Sequence, residues 1–333
     1  MREGITFAGS MIVDHVKTVD AFPKEGQLAP IRSVEKSVGG LVCNTAVDFA
    51  ILDPAVPVYA VGKVGNDGDG ERVLGFLREH SIDVSRIEKE GVTSFTDVIS
   101  TAEQRTFFQY GGACDLFDPD EESVKNLPGK LLHIGYLLLL PKLDAHDPVY
   151  GTKMARLLHA AKEAGMETSI DLVSENADRY KDIVPPALPY VDYLILNEIE
   201  AGKTLGLSLR EGERLLPDRV KEALRRLMAL GKMKWVVIHC PEGAYGLDKD
   251  GNECFSPAAP LPSGYIAGKV GAGDAFCAGT LLAAYRGRSL AEALICGNAA
   301  AQVSLRAPTS TGSMVSMKEA LAEYRRYAEA KQE

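Results

Sequence analysis

Short apolar runs recur along the chain, and each ends in glycine or in a polar residue. Such a run predicts a strand buried in a sheet, whereas longer stretches with apolar residues three and four apart predict helices. The predicted strands are 5–8, 56–61, 131–134, 167–170, 193–196 and 234–238, and the predicted helices are 41–52, 71–80, 149–164, 198–205, 218–230, 275–285, 290–305 and 317–330. This alternation predicts an α/β, Rossmann-like fold with a mostly parallel sheet that helices cover on both faces.

Two early regions do not follow the alternation. We expect strands within about 13–38 and 93–112 to form a small β-sheet that acts as a lid on the same domain. A further hairpin is predicted at 245–247 and 253–255, because Asp250-Gly251 is a favourable turn. Since no internal repeat or low-complexity stretch interrupts the chain, residues 1–333 are predicted to form a single domain.

Composition narrows the function classes without naming one. The 333 residues are 46% hydrophobic and 25% charged, as in ordinary soluble globular proteins. A net charge of −9 disfavours nucleic acid as a partner, and apolar runs such as 137–140 are far too short for a membrane span. The charged N-terminus predicts no signal peptide, and six cysteines without Cys-x-x-Cys spacing predict free thiols. We therefore expect a cytoplasmic protein.

The stretch from Gly271 to Asp274 carries the most specific candidate chemistry. Small residues at a predicted helix start leave backbone N–H groups uncovered, and the helix dipole attracts an anion there. A carboxylate among these groups is explained if Asp274 takes a proton from a hydroxyl while the amides hold phosphate oxygens. The alternative is a glycine turn with Asp274 favourable in the first helical turn. Phe276 and Cys277 exclude a Walker loop, and Phe276 also excludes a dinucleotide fingerprint.

A second group of polar residues follows the predicted strands. Asp14, Asp171 and Asn197 come just after strand ends, where ligands bind in α/β sheets. Glu200 lies one helical turn after Asn197, so an amide and a carboxylate share one face. That pair suits hydrated Mg²⁺, which keeps its waters and needs few protein ligands. The same pair is also a favourable helix start, with Asn197 as the cap and Glu200 in the first turn.

Together these motifs resemble those of the ribokinase-like, or PfkB, carbohydrate kinase family, along nearly the whole chain. The most specific match is the GAGDAF sequence at residues 271–276. The others are Gly39-Gly40 with Asn44, VGKVGND at 61–67 and NEIE at 197–200. The resemblance implies ATP-dependent phosphorylation of a hydroxyl, usually a sugar hydroxymethyl, beneath a β-sheet lid.

The resemblance also implies roles for single residues. Asp274 would be the general base, and the amides of Ala272, Gly273 and Asp274, which follow Gly271, would form the anion hole. Asn197 and Glu200 would organise Mg²⁺ through its waters. The positions that match the sugar site are Asp14, Gly39, Gly40 and Asn44, and Asn298 lies on the helix that usually borders the adenine.

One departure from the family pattern concerns a cation. Gly268 and Lys269 stand where relatives commonly have Asp-Thr, and that aspartate usually helps to bind a monovalent cation such as K⁺. We hypothesise that this cation site is lost or altered and that the ammonium of Lys269 supplies the positive charge. The alternative is that Lys269 points to solvent, as lysines commonly do.

Two further departures affect the nucleotide and the lid. Relatives usually have Thr-x-Gly-x-x-Gly near the nucleotide phosphates, but residues 238–243 here are IHCPEG. This leaves His239 and Gly243 as candidate nucleotide contacts. Cys114 replaces a common asparagine, so the contribution of the lid to substrate binding is expected to differ.

The substrate stays open at this level. A kinase for a free sugar or sugar acid is the leading interpretation. A nucleoside kinase would stack its base on lid aromatics such as Phe95, Phe107 or Phe108, although these rings are equally suited to packing in the lid itself. A phosphosugar would require clustered cations in the lid, for which Arg105 alone is a weak indication.

Two other possibilities concern catalysis and assembly. A non-catalytic sugar or nucleotide sensor would explain the altered residues at 239–241 and 268–269. The intact Asp274 argues against a sensor, because a pure binding protein needs no base in an anion hole. The edges of the lid sheet invite pairing and so favour a homodimer through the lid.

Overall fold

The computed structural model of the protein describes residues 2–101, 104–174 and 178–329. The strands are β1 (Ile5–Gly9), β2 (Ile12–Val19), β3 (Ile31–Gly39), β4 (Val58–Val64), β5 (Asp83–Lys89), β6 (Phe95–Ser100), β7 (Arg105–Tyr110), β8 (Leu131–Leu137), β9 (His146–Asp147), β10 (Gly151–Thr152), β11 (Glu167–Leu172), β12 (Tyr193–Asn197), β13 (Arg210–Glu211), β14 (Arg214–Leu215), β15 (Trp235–Cys240), β16 (Gly243–Asp248) and β17 (Glu253–Pro257). The helices are α1 (Leu41–Leu52), α2 (Gly68–Glu79), α3 (Glu121–Lys125), α4 (Pro141–Asp144), α5 (Lys153–Glu163), α6 (Tyr180–Ile183), α7 (Glu198–Leu205), α8 (Pro217–Met228), α9 (Ala272–Tyr285), α10 (Leu290–Ser304) and α11 (Met317–Glu329), with 3₁₀ turns at Gly112–Leu116 and Pro185–Tyr190.

A nine-stranded sheet forms the centre of the molecule. Its order is β17-β16-β15-β12-β11-β8-β1-β4-β5, and β16 and β17 pair antiparallel while the seven other strands run parallel. All of β1 and most of β8 is buried, as expected for strands with helices on both faces. Two large clusters of buried apolar side chains pack on the sheet. The predicted α/β fold with a mostly parallel, doubly covered sheet is confirmed.

The second sheet has four strands in the order β3-β2-β6-β7. Its outer pairs are antiparallel, but β2 and β6 run parallel, so the sheet is mixed. Its strands lie in the two regions predicted for the lid, apart from one residue at each of two ends, Ile12 and Gly39. A small sheet beside the large one is therefore confirmed, whereas its action as a lid stays a prediction.

The structure adds short elements that were not predicted, such as α4 and β9 in the segment 137–148, and it differs from the prediction at two longer elements. β5 was not predicted, because its exposed and charged residues lack the apolar pattern of a buried strand; as an edge strand it is protected by those charges. The helix predicted for 149–164 begins only at Lys153, where Thr152 caps it by accepting a hydrogen bond from the Ala155 amide. The predicted end of the last helix, Ala330, lies outside the described residues.

Among the helices of the described ranges, none combines the length and apolarity that a membrane crossing requires.

Three glycines lie side by side at the carboxyl ends of β4, β1 and β8. Gly9 is in register with Gly62 on one side and with Gly135 on the other. A Cβ atom on Gly9 would lie 1.8 Å from the carbonyl oxygen of Gly135, and one on Gly62 would lie 2.5 Å from Cε of Met11 and 2.7 Å from the Gly9 carbonyl oxygen. The chain after β1 therefore leaves the sheet close against its neighbours, and the Ser10 amide donates to the Gly135 carbonyl at 2.9 Å.

This packing predicts opposite effects for two glycine-to-alanine changes. Gly62→Ala should lower the free energy of unfolding by about 1–3 kcal/mol, because backbone has to move to admit the methyl group. Gly75→Ala, in α2 with no atom within 4 Å of its Cβ position, should be neutral or stabilise by about 0.5–1 kcal/mol. Urea unfolding of both variants measures the difference, and equal stabilities would show that the glycine row is not tightly packed.

Candidate active site

The carboxyl ends of three adjacent parallel strands meet the start of α9. Tyr136 near the end of β8, Asp171 near the end of β11 and Asn197 at the end of β12 all line a small cavity of about 170 Å³. Gly273 and Asp274, from the first turn of α9, line its opposite side. Ligands of parallel sheets bind at this edge, as the strand-end residues predict.

The Asp274 carboxylate accepts hydrogen bonds from three side chains. Asn44 Nδ2 donates to Oδ2 at 2.9 Å, while Tyr136 Oη at 2.6 Å and Thr45 Oγ1 at 3.3 Å donate to Oδ1. Burial raises the pKa of Asp274 above its ordinary value, and the bonds from Tyr136, Asn44 and Thr45 oppose that rise. Because Oδ2 accepts from one side chain only, it keeps acceptor capacity for a hydroxyl proton.

The start of α9 has the features of an anion site. Gly271 precedes the helix in the left-handed conformation, with φ 78°, and no side chain from the described ranges caps this end. The first amide groups of α9 are therefore not covered by a capping side chain. The Ala272 amide donates a long hydrogen bond of 3.4 Å to the Lys269 carbonyl oxygen, and the anion hole of Ala272, Gly273 and Asp274 stays a prediction.

A serine from the loop after α10 fixes the orientation of Asn44. Ser310 Oγ donates to Asn44 Oδ1 at 2.8 Å, which directs the amide nitrogen of Asn44 towards Asp274. The same serine packs against Gly271, since a Cβ atom there would lie 2.4 Å from Ser310 Cβ. Sequence reasoning missed Ser310, Thr45 and Tyr136, because no spacing along the chain links them to Asp274.

Of the predicted sugar-site residues, Asn44 contacts the Asp274 carboxylate, while Asp14 lies within β2 of the small sheet, not after a strand end of the large sheet as predicted, and neighbours Gly39. Gly40 precedes α1 with φ 86°, and its Cβ position lies 2.7 Å from the Ser10 carbonyl oxygen. The Cβ position of Gly39 lies 3.2 Å from Asp14 Oδ2. Burial raises the pKa of Asp14, and a hydrogen bond with Thr96 opposes the rise. Asp14, Gly39 and Gly40 thus lie at the junction of the small sheet with α1, the helix that carries Asn44.

Asn197 and Glu200 form a complete capping box at the start of α7. Asn197 Oδ1 accepts from the amides of Ile199 and Glu200, and Glu200 Oε2 accepts from the Asn197 amide at 3.0 Å. Glu200 Oε1 accepts from Ser174 Oγ at 2.8 Å and from Asn197 Nδ2 at 2.7 Å. The helix-cap interpretation is therefore confirmed, and the predicted role with Mg²⁺ stays a prediction beside it.

Three carboxylates crowd the small cavity. Burial raises the pKa of Asp171 well above its ordinary value, and the charges of Asp274 and Glu200 raise it further. Burial also raises the pKa of Glu200, to about 7. Among the described residues that line the cavity there is no lysine or arginine. The cavity therefore favours a cation, and its oxygen donors suit hydrated Mg²⁺.

A larger cavity of about 460 Å³ adjoins the small one, and Asn197, His239 and Gly273 line both. The His239 ring stacks on Phe276 with centroids 4.7 Å apart, and burial lowers its pKa to about 4, so the imidazole is neutral near pH 7. Lys269 is exposed and is the one lysine or arginine among the described lining residues.

The two other predicted nucleotide residues have different positions. Asn298 lines the large cavity, and its Nδ2 also donates to the carbonyl oxygens of Ser256 and Pro257. Gly243 does not line this cavity; its φ of 142° and a Cβ position 2.3 Å from the Ser256 carbonyl oxygen show that it allows β16 to pack on β17. Gln302, which sequence reasoning missed, lines the cavity with a buried amide that has no hydrogen-bond partner in the described ranges.

The structure does not bring Arg105 to the predicted sugar site. Arg105 pairs with Ser100 at one end of the β6–β7 hairpin, whereas Thr96, the neighbour of Asp14, pairs with Gln109. Four residues along a strand separate the two positions by roughly 13 Å. Arg105 is exposed, so the indication of a phosphosugar substrate is weakened.

Comparison with known proteins places these features in a family. A family model described as pfkB family carbohydrate kinase matches residues 2–317. The 5-dehydro-2-deoxygluconokinase of Clostridium perfringens is 26% identical over 284 residues, which cover 82% of this chain and 80% of that protein. A nucleoside kinase of Methanocaldococcus jannaschii is 24% identical over 303 residues, which cover 90% of this chain and 89% of that protein.

Solved structures show the same fold. Ribokinase of Arabidopsis thaliana, complexed with ribose and ATP, has a TM-score of 0.80 at 21% identity and covers 97% of this chain and 98% of its own. Phosphofructokinase-2 from Escherichia coli, in complex with potassium, has a TM-score of 0.76 at 20% identity and covers 99% of this chain and 100% of its own. At these identities the likeness establishes the fold.

Two glycine-to-alanine substitutions at the start of α9 should have different effects, one on protein stability and the other on kinase turnover. Gly271→Ala should destabilise by about 1–3 kcal/mol, because its backbone is left-handed and its methyl group would meet Ser310. Gly273→Ala should fold normally, since the nearest atom to its Cβ position is His239 Cε1 at 3.6 Å. Its methyl group would nevertheless stand where both cavities meet, so kinase turnover should fall at least tenfold. Thermal unfolding and turnover test the pair, and an active Gly273→Ala enzyme would contradict the anion hole.

Proposed function

The chain belongs to the pfkB family of carbohydrate kinases, and within it we propose an enzyme that uses ATP to phosphorylate a hydroxyl, usually a hydroxymethyl, of a small sugar or sugar acid. One observation carries the proposal. Asp274, in the first turn of α9, is held by Asn44, Thr45 and Tyr136 and lines the small cavity, and its neighbour Gly273 lines both the small and the large cavity. A base and an anion site at one point are what transfer of a phosphoryl group to a hydroxyl requires.

In the proposed reaction the hydroxyl proton passes to Asp274 Oδ2. The hydroxyl oxygen forms the new bond to the γ-phosphorus of ATP as the bond from that phosphorus to the bridging oxygen breaks. The amides of Ala272, Gly273 and Asp274 hold the charge on the transferring group. Positioning and charge stabilisation, not covalent catalysis by the protein, account for the rate in such reactions.

The large cavity suits the nucleotide. Its walls include the apolar side chains of Leu261, Ile266 and Leu305, against which a purine packs. The buried amide of Gln302 has no partner among the described residues and offers a donor and an acceptor to a base edge. Pro241 has no N–H group, so at that position the altered 239–241 loop has no amide for a phosphate.

The small cavity suits Mg²⁺ bound to the nucleotide. Asp171, Asn197 and Glu200 would hold the ion through its waters, because Glu200 Oε2 accepts from one protein donor and keeps acceptor capacity. When bound, Mg²⁺ neutralises charge on the phosphates. The remaining work of orienting the hydroxyl and accepting its proton falls to Asp274.

A monovalent cation site built on a carboxylate at position 268 does not fit this chain. A Cβ atom on Gly268 would lie 2.7 Å from the Ala307 carbonyl oxygen and 2.8 Å from Pro308 Cα, so no side chain fits there without movement. Lys269 lines the large cavity and has no ion pair within the described part of the chain. Its ammonium is therefore available to the nucleotide phosphates.

A row of polar side chains across the small sheet supports a hydroxyl-rich acceptor. Ser37, Asp14, Thr96 and Gln109 are in register on four adjacent strands and share one face. Each of these side chains can form hydrogen bonds with sugar hydroxyls, and none is aromatic. This favours a sugar over a nucleoside: of the candidate stacking rings, Phe95 and Phe108 lie on the opposite face of the sheet, and Phe107 lies on this face two residues before Gln109 along β7.

A homodimer through the small sheet is also proposed. Its outer strands β3 and β7 present unpaired edges in the described chain, and large side chains on both are exposed, including Val34, Phe107 and Tyr110. Exposed apolar edges of this kind favour pairing with a second copy.

The proposal predicts sugar-dependent ATP consumption that Asp274→Asn abolishes. Mg²⁺-ATP turnover should appear with one or a few members of a panel of sugars, sugar acids and nucleosides. Asp274→Asn should lower it about 10²–10⁴-fold, because loss of a general base removes about that factor. Asp250→Asn, at an exposed turn, is the matched control and should keep the wild-type rate.

ATP should still raise the melting temperature of Asp274→Asn, which separates loss of chemistry from loss of folding. Turnover that survives in this variant would contradict its role as base. Thermal stabilisation by ligands without turnover on any acceptor would favour the sensor.

A further inference from the structure

A nitrogen, a sulfur and an oxygen donor converge at the wall of the small cavity. His133 of β8, Asp171 of β11 and Cys277 of α9 each offer one ligand atom, and these atoms all lie within 4.8 Å of one another. His133 and Cys277 are buried, and Asp171 is partly exposed. The proposed phosphoryl transfer uses neither His133 nor Cys277.

The separation of two of these atoms matches a tetrahedral metal site. His133 Nε2 lies 3.6 Å from Cys277 Sγ. Zinc bonds of roughly 2.0–2.1 Å to nitrogen and about 2.3 Å to sulfur, at a tetrahedral angle, set these two atoms about 3.6 Å apart. An ion therefore needs little movement of this pair, and a carboxylate oxygen of Asp171 would be its third protein ligand.

A neighbouring serine orients the imidazole for such a role. His133 Nδ1 lies 3.0 Å from Ser169 Oγ. When Nδ1 carries the ring proton and donates it to that hydroxyl, the lone pair of Nε2 faces Cys277. A hydrogen bond of this kind on the second ring nitrogen commonly fixes metal-binding histidines.

Charge and access also favour a cation at this place. Asp171, Glu200 and Asp274 line the small cavity, and no lysine or arginine joins them among the described lining residues. Both Asp171 and Cys277 line that cavity, so an ion arriving through it meets two of its ligands directly and leaves the fourth position for water.

We propose that His133, Asp171 and Cys277 form a site for a thiophilic divalent ion of the Zn²⁺ class, and that its occupation inhibits the kinase. On binding, the Cys277 thiol releases its proton to solvent and the thiolate forms the metal–sulfur bond. Cys277 lies one helical turn after Asp274, so the bound dication makes Asp274 a weaker base. The proposed metal binding does not depend on the proposed kinase function, whereas the proposed inhibition does.

Binding is tested first without any substrate. Titration of the full chain with Co²⁺ should produce a thiolate-to-cobalt charge-transfer band, which Zn²⁺ abolishes by displacement. The band should vanish in Cys277→Ala and remain in Cys240→Ala, whose thiol lies in the large cavity. Ser169→Ala should keep the band but weaken metal affinity about 10–100-fold.

The other outcomes are equally decisive. A folded wild-type protein without the band, or a band that survives in Cys277→Ala, overturns the site. His133→Asn, as a second variant, should weaken affinity at least tenfold, and unchanged affinity would overturn it as well.

Inhibition is tested separately by turnover at a fixed excess of Mg²⁺. Zn²⁺ should inhibit the wild-type enzyme reversibly, and a chelator should restore the rate. Each variant is compared with its own rate without Zn²⁺, and the inhibition constant should rise at least tenfold in Cys277→Ala. A band without inhibition overturns the inhibitory role. A band in a protein that shows no turnover on any acceptor supports the site while the proposed function fails.

Discussion

The site depends on keeping one carboxylate charged in a place that disfavours charge. Burial raises the pKa of Asp274, and hydrogen bonds from Tyr136, Asn44 and Thr45 oppose that rise. The donors come from α1 and β8, far apart in the chain, so only the folded protein supplies them. Ser310 in turn holds Asn44 in place, and donors on both carboxylate oxygens give the Asp274 side chain one orientation. That orientation leaves Oδ2 open to a hydroxyl.

The fold supplies this arrangement through the edge of its large sheet. The glycine row of Gly9, Gly62 and Gly135 brings three strand ends to one level and lets the chain after β1 turn closely towards α1 and the small sheet. The capping box of Asn197 and Glu200 fixes the start of α7 beside them. Glu200 therefore has a structural and a chemical role, since it caps the start of α7 and also adds a carboxylate to the small cavity.

Local sequence patterns predicted most of the fold and part of the site. The site residues that they missed are brought into the site only by tertiary packing. The predicted strands, helices and small sheet followed from the pattern of apolar and polar residues, and the family followed from the resemblance of the motifs at 39–44, 61–67, 197–200 and 271–276. Tyr136 and Ser310 had no local signal, because a partner 138 residues away from Asp274 is fixed only by tertiary packing. Arg105 was a candidate because a phosphosugar needs cations in the lid, and Gly243 because it lies in the loop 238–243 that aligns with a nucleotide motif. Strand register instead places Arg105 at the far end of the β6–β7 hairpin. Gly243 lies where it does because β16 and β17 pack closely there.

The most direct test of the central claim is the pH dependence of kcat/KM in wild type and in Tyr136→Phe. The acidic limb of this profile reports the essential base of the free enzyme. Removing the Tyr136 hydroxyl removes a donor that lowers the pKa of Asp274, so the limb should move to higher pH. A limb that stays at the wild-type pH would contradict the account, because another group would then be the base or the hydrogen bond would not tune it.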